Sequence, residues 1–309
     1  MVSESAKRRK PRPVGEEDFD ALVTTLEKTD HTVGSKLTRL SHYTDSAGLY
    51  GIITEKKLRA THYKFLNDNT ELRWATTIAR RVLESKLGSV RGAIAKQLLS
   101  EILANLDEDE SVFDAYLVCL SSKRDSLSQW RAYGRGKSYC LSLDIAYLKK
   151  LEATVAEHHY FFKVLYDEKK QERLIGDAFE QVLRLARRAA ATTDEKQSFT
   201  WAKDTFEAML AIFSVFFKHP AFADEAEWRL VLVEPTGEVN FRAAPNKGIV
   251  PYLEIALSTD PPSEAPLKSV RLGPGADRTK EGMAVRRFIR QAGFLRCNVF
   301  YANAPLAIS

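Results

Sequence analysis

The chain reads as an α+β protein, and three observations lead there. Apolar, β-branched segments come in several groups, at 37–44, 58–63, 112–122 and 138–144, and again from 226 onward. Helical periodicity concentrates in two insert-like blocks, about 68–106 and 168–218. Strands and helices do not alternate in the regular way a doubly wound sheet requires. The sequence carries no internal repeat.

Residues 17–30 predict a short helix. The segment 37–44 is a strand carrying His42 and Tyr43. Asp45 is placed to cap a helix over 46–54, whose Leu49, Ile52 and Ile53 share one face. A second strand covers 58–63. Asp68 and Glu71 have capping-box spacing at the head of a long helix with Leu72, Ala75, Ile78 and Val82 on its apolar side. Another helix, 89–106, ends before the acidic stretch 107–110. The strand 112–122 is apolar nearly throughout, which places it centrally.

A short helix over 126–133 stops at Gly134, and Gly136 follows in the turn. Strands are expected at 138–144 and 160–167, then long helices at 168–192 and 195–218. In the last of these Phe206, Met209, Phe213, Phe216 and Phe217 form a stripe that reads as core, not as a cofactor box. Strands follow at 226–234, 238–243 and 250–257. A Pro-rich loop at 261–266 leads to a strand at 268–272, the turn Gly273-Pro274-Gly275, a helix at 278–292 and a last strand at 296–301.

With 309 residues, 44% of them hydrophobic, the chain can bury a substantial core, and its length allows one large domain or two packed lobes. Residues 17–309 are read as a single domain, with the two helical blocks as insertions. Residues 1–16 are polar and basic and do not read as a secretory leader. They hold Lys7, Arg8, Arg9, Lys10 and Arg12, a large part of the net charge of +5, and are expected to form a disordered tail. Such a tail can touch nucleic acid, but without it the body is close to neutral, so no footprint of a dedicated nucleic-acid binder remains. Cys119, Cys140 and Cys297 lie far apart and make neither a disulfide framework nor a zinc pattern; a reducing cytoplasm is the expected location. The longest apolar run, 209–217, is too short to cross a bilayer.

Nucleotide fingerprints are missing. Gly134-Arg135-Gly136 is not GxGxxG, the Gly273 turn lacks the Lys and Ser/Thr of a P-loop, and there is no GxSxG. What remains is a set of polar residues at apolar strand ends. In Glu225-Ala226-Glu227-Trp228-Arg229-Leu230, period-two alternation puts Glu225, Glu227 and Arg229 on one face and Ala226, Trp228 and Leu230 on the other. Two carboxylates at the edge of a core are costly unless paired. Residue pattern by itself favours a strand-end ion pair over catalysis. His42, and Ser121 with Ser122 at the exit of the 112–122 strand, could converge with Glu227 on one cleft, though each alone has an ordinary structural explanation.

Together these residues resemble a known family. His42-Tyr43 with Gly51-Ile52-Ile53, Leu66-Asn67-Asp68 with Glu71, Cys119-Leu120-Ser121 followed by Gln129-Trp130 and Tyr133, Glu225 to Arg229, Pro251-Tyr252 and Leu272-Gly273-Pro274 look like the bacterial family catalogued as domain of unknown function 2971. That family is similar to the ADP-ribosyltransferase fold, whose split mixed sheet holds NAD in a cleft.

The resemblance implies roles. His42 would bind an NAD ribose from the first strand, Ser121 would support the nicotinamide side, Glu227 would be the catalytic carboxylate, and Glu225 would orient an acceptor. Tyr43, Trp130 and Tyr133 are candidates to stack on nicotinamide, with Asn67 and Arg229 as further cofactor contacts; Arg229 would clamp a phosphate or neutralise Glu227. Implied are NAD as substrate, no metal, an acceptor that is protein or nucleic acid, a toxic or phage-defence setting with a neutralising partner protein, and no membrane. Two rival expectations stand beside it: a non-catalytic nucleotide sensor on the same fold, and a nucleic-acid-acting enzyme guided by the basic tail.

Overall fold

The structure, a computed structural model, describes residues 37–66, 69–106, 114–133, 137–150, 156–190, 195–244, 247–259, 261 and 264–304. The expected helix at 17–30, the basic tail, Asn67 and Asp68 lie outside them, as do the side chains of Glu71 and Tyr133. The chain divides into two units.

One unit comprises Met1–Thr29, Thr70–Phe113 and Leu165–Lys218, and so contains both helical blocks. Its helices are α2 (Asn69–Lys86), α3 (Ala93–Asn105), α6 (Glu168–Ala190) and α7 (Glu195–Phe216). Ile78, Leu98, Phe179, Phe206 and Phe213 are buried, so the Phe stripe of α7 is core, as its periodicity requires. A polar pin holds the base of the unit. Gln171, wholly buried, accepts from Trp74 Nε1 at 3.0 Å and donates Nε2 to Leu165 O at 2.6 Å and Lys218 O at 3.0 Å. Every polar atom of the amide is thereby engaged, which is how a buried Gln avoids a desolvation cost.

The other unit comprises Asp30–Asn69, Asp114–Val164 and His219–Ser309. It is built on a mixed sheet, ten-stranded among the described residues. The strands are β1 (Arg39–Asp45), β2 (Lys57–His62), β3 (Ala115–Ser121), β4 (Ser138–Asp144), β5 (Ala156–Lys163), β6 (Glu227–Pro235), β7 (Asn240–Ala244), β8 (Gly248–Ala256), β9 (Leu267–Leu272) and β10 (Asn298–Tyr301). Shorter helices are α1 (Ser46–Glu55), α4 (Leu127–Tyr133), α5 (Ile145–Lys149) and α8 (Lys280–Gln291). The pairs are antiparallel except β9 with β10.

The sheet forks at β3. One edge of β3 pairs with β6 along its whole length, and β5 lies beyond β6. The other edge is shared. β1 takes it only at Ser41 opposite Ser121, and β2 takes it at Leu117 and Tyr116. From β1 a branch runs through β4 and β9 to β10; from β2 another runs through β8 to β7.

The two faces of the sheet differ in chemistry. Leu40, Val118, Leu120, Leu141, Leu143, Trp228, Leu230, Leu253, Ile255 and Val270 belong to one apolar cluster that also contains Leu49, Ile52 and Ile53 of α1 and Val285 and Ile289 of α8. The paired residues Ser269, Ser142, Ser41, Ser121 and Glu227 form an in-register row on the opposite face, across β9, β4, β1, β3 and β6. All five are buried.

Two local differences from the sequence expectation have physical causes. The strand expected at 160–167 lies at Ala156–Lys163, because pairing with β6 ends at Lys163 opposite Trp228; Leu165 then bridges Phe217 instead. The helix α5 has no counterpart in the expectation. Asp144 caps it, its Oδ1 accepting from Ala146 N at 2.9 Å and Tyr147 N at 3.2 Å, and Ile145 and Leu148 bury one side.

Candidate active site

The fork in the sheet places His42 where β1 leaves β3. Its Nδ1 lies 3.1 Å from Cys119 O. A carbonyl only accepts, so Nδ1 carries the proton and a neutral ring keeps its lone pair on Nε2. Burial lowers the pKa of the imidazole, against a smaller upward pull from the Cys119 bond. By strand alternation His42 sits on the apolar side of β1, whereas Ser41, Ser121 and Glu227 share the polar side. The ring reaches the β3 backbone at Cys119 O, and Ser41, Ser121 and Glu227 lie on the far face.

Glu227 is placed by the turn before it. Residues Pro220–Glu225 form a 3₁₀ turn with Pro at its head, and Ala226 then adopts a left-handed conformation, φ 47° and ψ 49°. Such a backbone is uncommon for a residue with a Cβ and persists only where neighbours hold it. Here β3 does so. Ser121 Oγ donates to Glu225 O at 2.6 Å, while Ser122 N and Oγ donate to Ala226 O at 3.1 and 3.3 Å. The chain therefore enters β6 with Glu227 as its first residue, directly opposite Ser121. Glu225 lies in the turn, outside the strand, so the alternation expected for the carboxylate pair holds only for Glu227 and Arg229. What Glu225 contributes to the described site is its carbonyl, and its side chain is half-buried.

Arg229 stands two residues on and is 1% exposed. Its Nε donates to Glu227 Oε1 at 2.7 Å and its Nη2 to Oε2 at 3.2 Å, a two-point grip on a buried carboxylate.

The aromatic candidates sit beside this pair of strands. Tyr43 is buried; its hydroxyl donates to Lys123 O and accepts from Ser126 N, both at 3.0 Å. Burial pushes its phenol well above the ordinary range. Trp130 of α4 is wholly buried, edge-on to Tyr43 with centroids 4.9 Å apart. Its Nε1 donates to Asp125 Oδ1 at 2.7 Å. Both rings pack with Cys140, so their faces belong to a small core cluster. The Cys140 thiol is pushed up to about 11, chiefly by burial.

Asp125 and Asp224 escape a reading by sequence, since each is one acidic residue among many in a loop. Asp125 joins Trp130 to the C-terminal segment by accepting from Asn303 N at 2.7 Å. Asp224 pairs with Lys123 and accepts from Ser128 Oγ at 2.8 Å, and the Lys123 bond holds its carboxyl below the usual range. Asp224 thereby laces the β3–α4 loop to the turn that delivers Glu227, while Asp125 ties the loop to the C-terminal segment. Ser41 is missed too; its Oγ is buried beside the Cys140 thiol.

Among the described residues no group of three or more His, Cys, Asp or Glu is arranged to hold a metal ion. No described helix is long and apolar enough to cross a membrane.

Residues 129–230 match the family described as "Protein of unknown function (DUF2971)". The matched DUF2971 segment runs from α4 into β6 and carries Trp130, Glu225, Glu227 and Arg229; His42 and Ser121 lie before it. No curated protein and no solved structure matches the chain.

Proposed function

We propose that this protein cleaves the nicotinamide–ribose bond of NAD, transferring ADP-ribose to an acceptor or to water, on a fold akin to that of the ADP-ribosyltransferases. The observation that carries the reading is the placement of Glu227: a buried carboxylate at the first position of a strand, opposite Ser121, beside a sheet that splits where His42 is inserted. Breaking that bond develops positive charge at the anomeric carbon. A fixed carboxylate that also accepts from the 2′-hydroxyl stabilises the charge, and a desolvated site strengthens the effect. Arg229 holds Glu227 in orientation before substrate arrives. His42, on the other face of β1, bears on the site only through the β3 backbone, which its Nδ1 holds at Cys119 O. In this reading Ser121 is a positioning residue, because its hydroxyl is spent on Glu225 O.

The test is incubation of the purified protein with NAD, with nicotinamide followed by chromatography. Release of nicotinamide supports the reading, whether or not an acceptor is modified. A second reading has one observation in its favour: both Glu227 oxygens are already engaged by Arg229, as expected of a structural ion pair. Under it the protein binds a nucleotide without turnover. NAD recovered intact from a saturated complex would favour that alternative.

A further inference from the structure

Helix α8 buries Gly282, Val285 and Ile289, and the last two join the apolar cluster of the sheet. The helical repeat then puts Met283, Arg286, Arg287 and Arg290 together on the adjoining flank, at spacings of three and four residues. All four are exposed, and so are Arg278, Lys280 and Arg296 before and after them. The stretch 278–296 contains a single acid, Glu281. Its oxygens are engaged away from the arginines: Oε2 pairs with Lys137 Nζ and Oε1 accepts from the Tyr139 hydroxyl, each at 2.9 Å. A body close to neutral overall thus gathers positive charge along one helix, which an average over the sequence conceals.

Aromatic rings stand on both sides of the helix. Arg278 and Arg286 pack on the Tyr301 ring, their guanidinium carbons 5.2 and 6.0 Å from its centroid, and the Tyr301 hydroxyl donates to Arg278 O at 2.9 Å. A guanidinium stacked on a ring keeps its planar N–H edge for phosphate oxygens. On the other side Tyr50 of α1 stacks on Phe288, with centroids 5.6 Å apart and planes 7° from parallel. Tyr50 is 63% exposed, so the stack presents aromatic surface to solvent.

We propose that the outward side of α8, with Tyr50 beside it, binds single-stranded nucleic acid. Arg286, Arg287 and Arg290 contact phosphates of the strand through their guanidinium forks, and Tyr50 stacks on a base. The exposed ring favours a strand with free bases over an acidic polypeptide. A bilayer surface fits less well, because a helix lying in one needs a free apolar face and α8 spends its own on the sheet. The site does not rest on the reading of Glu227 given above, and its test reads binding alone.

The probe is a fluorescein-labelled oligouridine, titrated with the full chain and followed by fluorescence anisotropy over a range of salt. Saturable binding to wild type is expected. Arg286→Gln, Arg287→Gln and Arg290→Gln combined should lower the slope of log K against log salt by about 2, since each single-strand phosphate contact contributes about 0.7. The same drop is expected in a chain whose tail cations Lys7, Arg8, Arg9, Lys10 and Arg12 are changed to Gln. Tyr50→Ala should weaken binding about fivefold or more and leave the slope unchanged. Absence of saturable binding to wild type, an unchanged slope in the triple variant, or a drop that disappears with the tail cations overturns the site. Wild-type affinity in Tyr50→Ala, or equal competition by polyglutamate or by phosphatidylglycerol vesicles, overturns single-stranded nucleic acid as the partner. Should the triple variant fail to fold, Arg287→Gln alone decides: a slope lowered by about 0.7 supports the site, and an unchanged slope overturns it.

Discussion

Arg229 Nε donates to Glu227 Oε1 at 2.7 Å, and both side chains are almost entirely shielded from water. A pair of this kind is worth little as a stabilising device, yet breaking one half of it is expensive. Arg229→Ala should destabilise the protein by about 3–5 kcal/mol in denaturant titration, because it strands a buried carboxylate. Replacing both residues at once, Glu227→Gln with Arg229→Met, should cost less than Arg229→Ala alone. Equal costs would show that the carboxylate reaches water.

Ala226 holds a left-handed backbone at the mouth of β6. Left-handed geometry costs a residue with a Cβ roughly 1–2 kcal/mol, and glycine escapes this at a loss of roughly 0.4–1 kcal/mol in chain entropy. Ala226→Gly should therefore be neutral or stabilising by up to about 1 kcal/mol. Ala226→Val should destabilise by about 1 kcal/mol or more, since a β-branched side chain tolerates this region least. Thermal denaturation of the two variants reads the difference, and opposite signs are the expected result.

His42 is neutral in the fold because burial lowers its pKa. An unfolded chain takes up the proton near the ordinary histidine pKa of about 6.5, so below that pH the unfolded state binds more protons than the native one. Stability contributed by the neutral ring is thus fully present above about pH 6.5 and falls as the pH drops, by at most about 1.4 kcal/mol per pH unit from this group. His42→Gln should flatten the slope between about pH 6.5 and 5. An unchanged slope would mean that the ring charges freely in the native state.

Cys140 is buried against Tyr43 and Trp130, with its thiol pushed up to about 11. A thiol so placed carries almost no thiolate at neutral pH and should resist alkylation by iodoacetamide until the protein unfolds. Trp130→Ala, which empties the same cluster, should cost about 3–5 kcal/mol and make Cys140 reactive in the native state. Peptide mass spectrometry after a timed exposure measures both.

How much of this was legible beforehand depends on what each residue's signal is made of. Strand β4 could be read to the residue, at 138–144, because an apolar run between turn residues needs no partner to be recognised. The Phe stripe of α7 was equally plain. Glu227 and Arg229 could be placed on one strand face by period-two alternation alone. Glu225 could not be placed correctly: nothing in Asp-Glu-Ala-Glu announces a left-handed alanine, whose conformation depends on Ser122, just past the end of β3 and about a hundred residues away in sequence. The fork at β3 was hidden for the same reason, since it exists only in the pairing of β1 and β2 along one edge. Trp130 could be read as a stacking platform or as core, and its burial assigns it to core.

The central claim is that Glu227 stabilises charge at the anomeric carbon of bound NAD. The measurement that bears on it most directly is the initial rate of nicotinamide release by Glu227→Gln and by wild type, each at saturating NAD and at a temperature where both are fully folded. The account predicts release by wild type, a fall of about 10²–10³ in kcat for the variant, and an NAD Kd little changed. No release by wild type, or a variant that turns over at the wild-type rate, would contradict it.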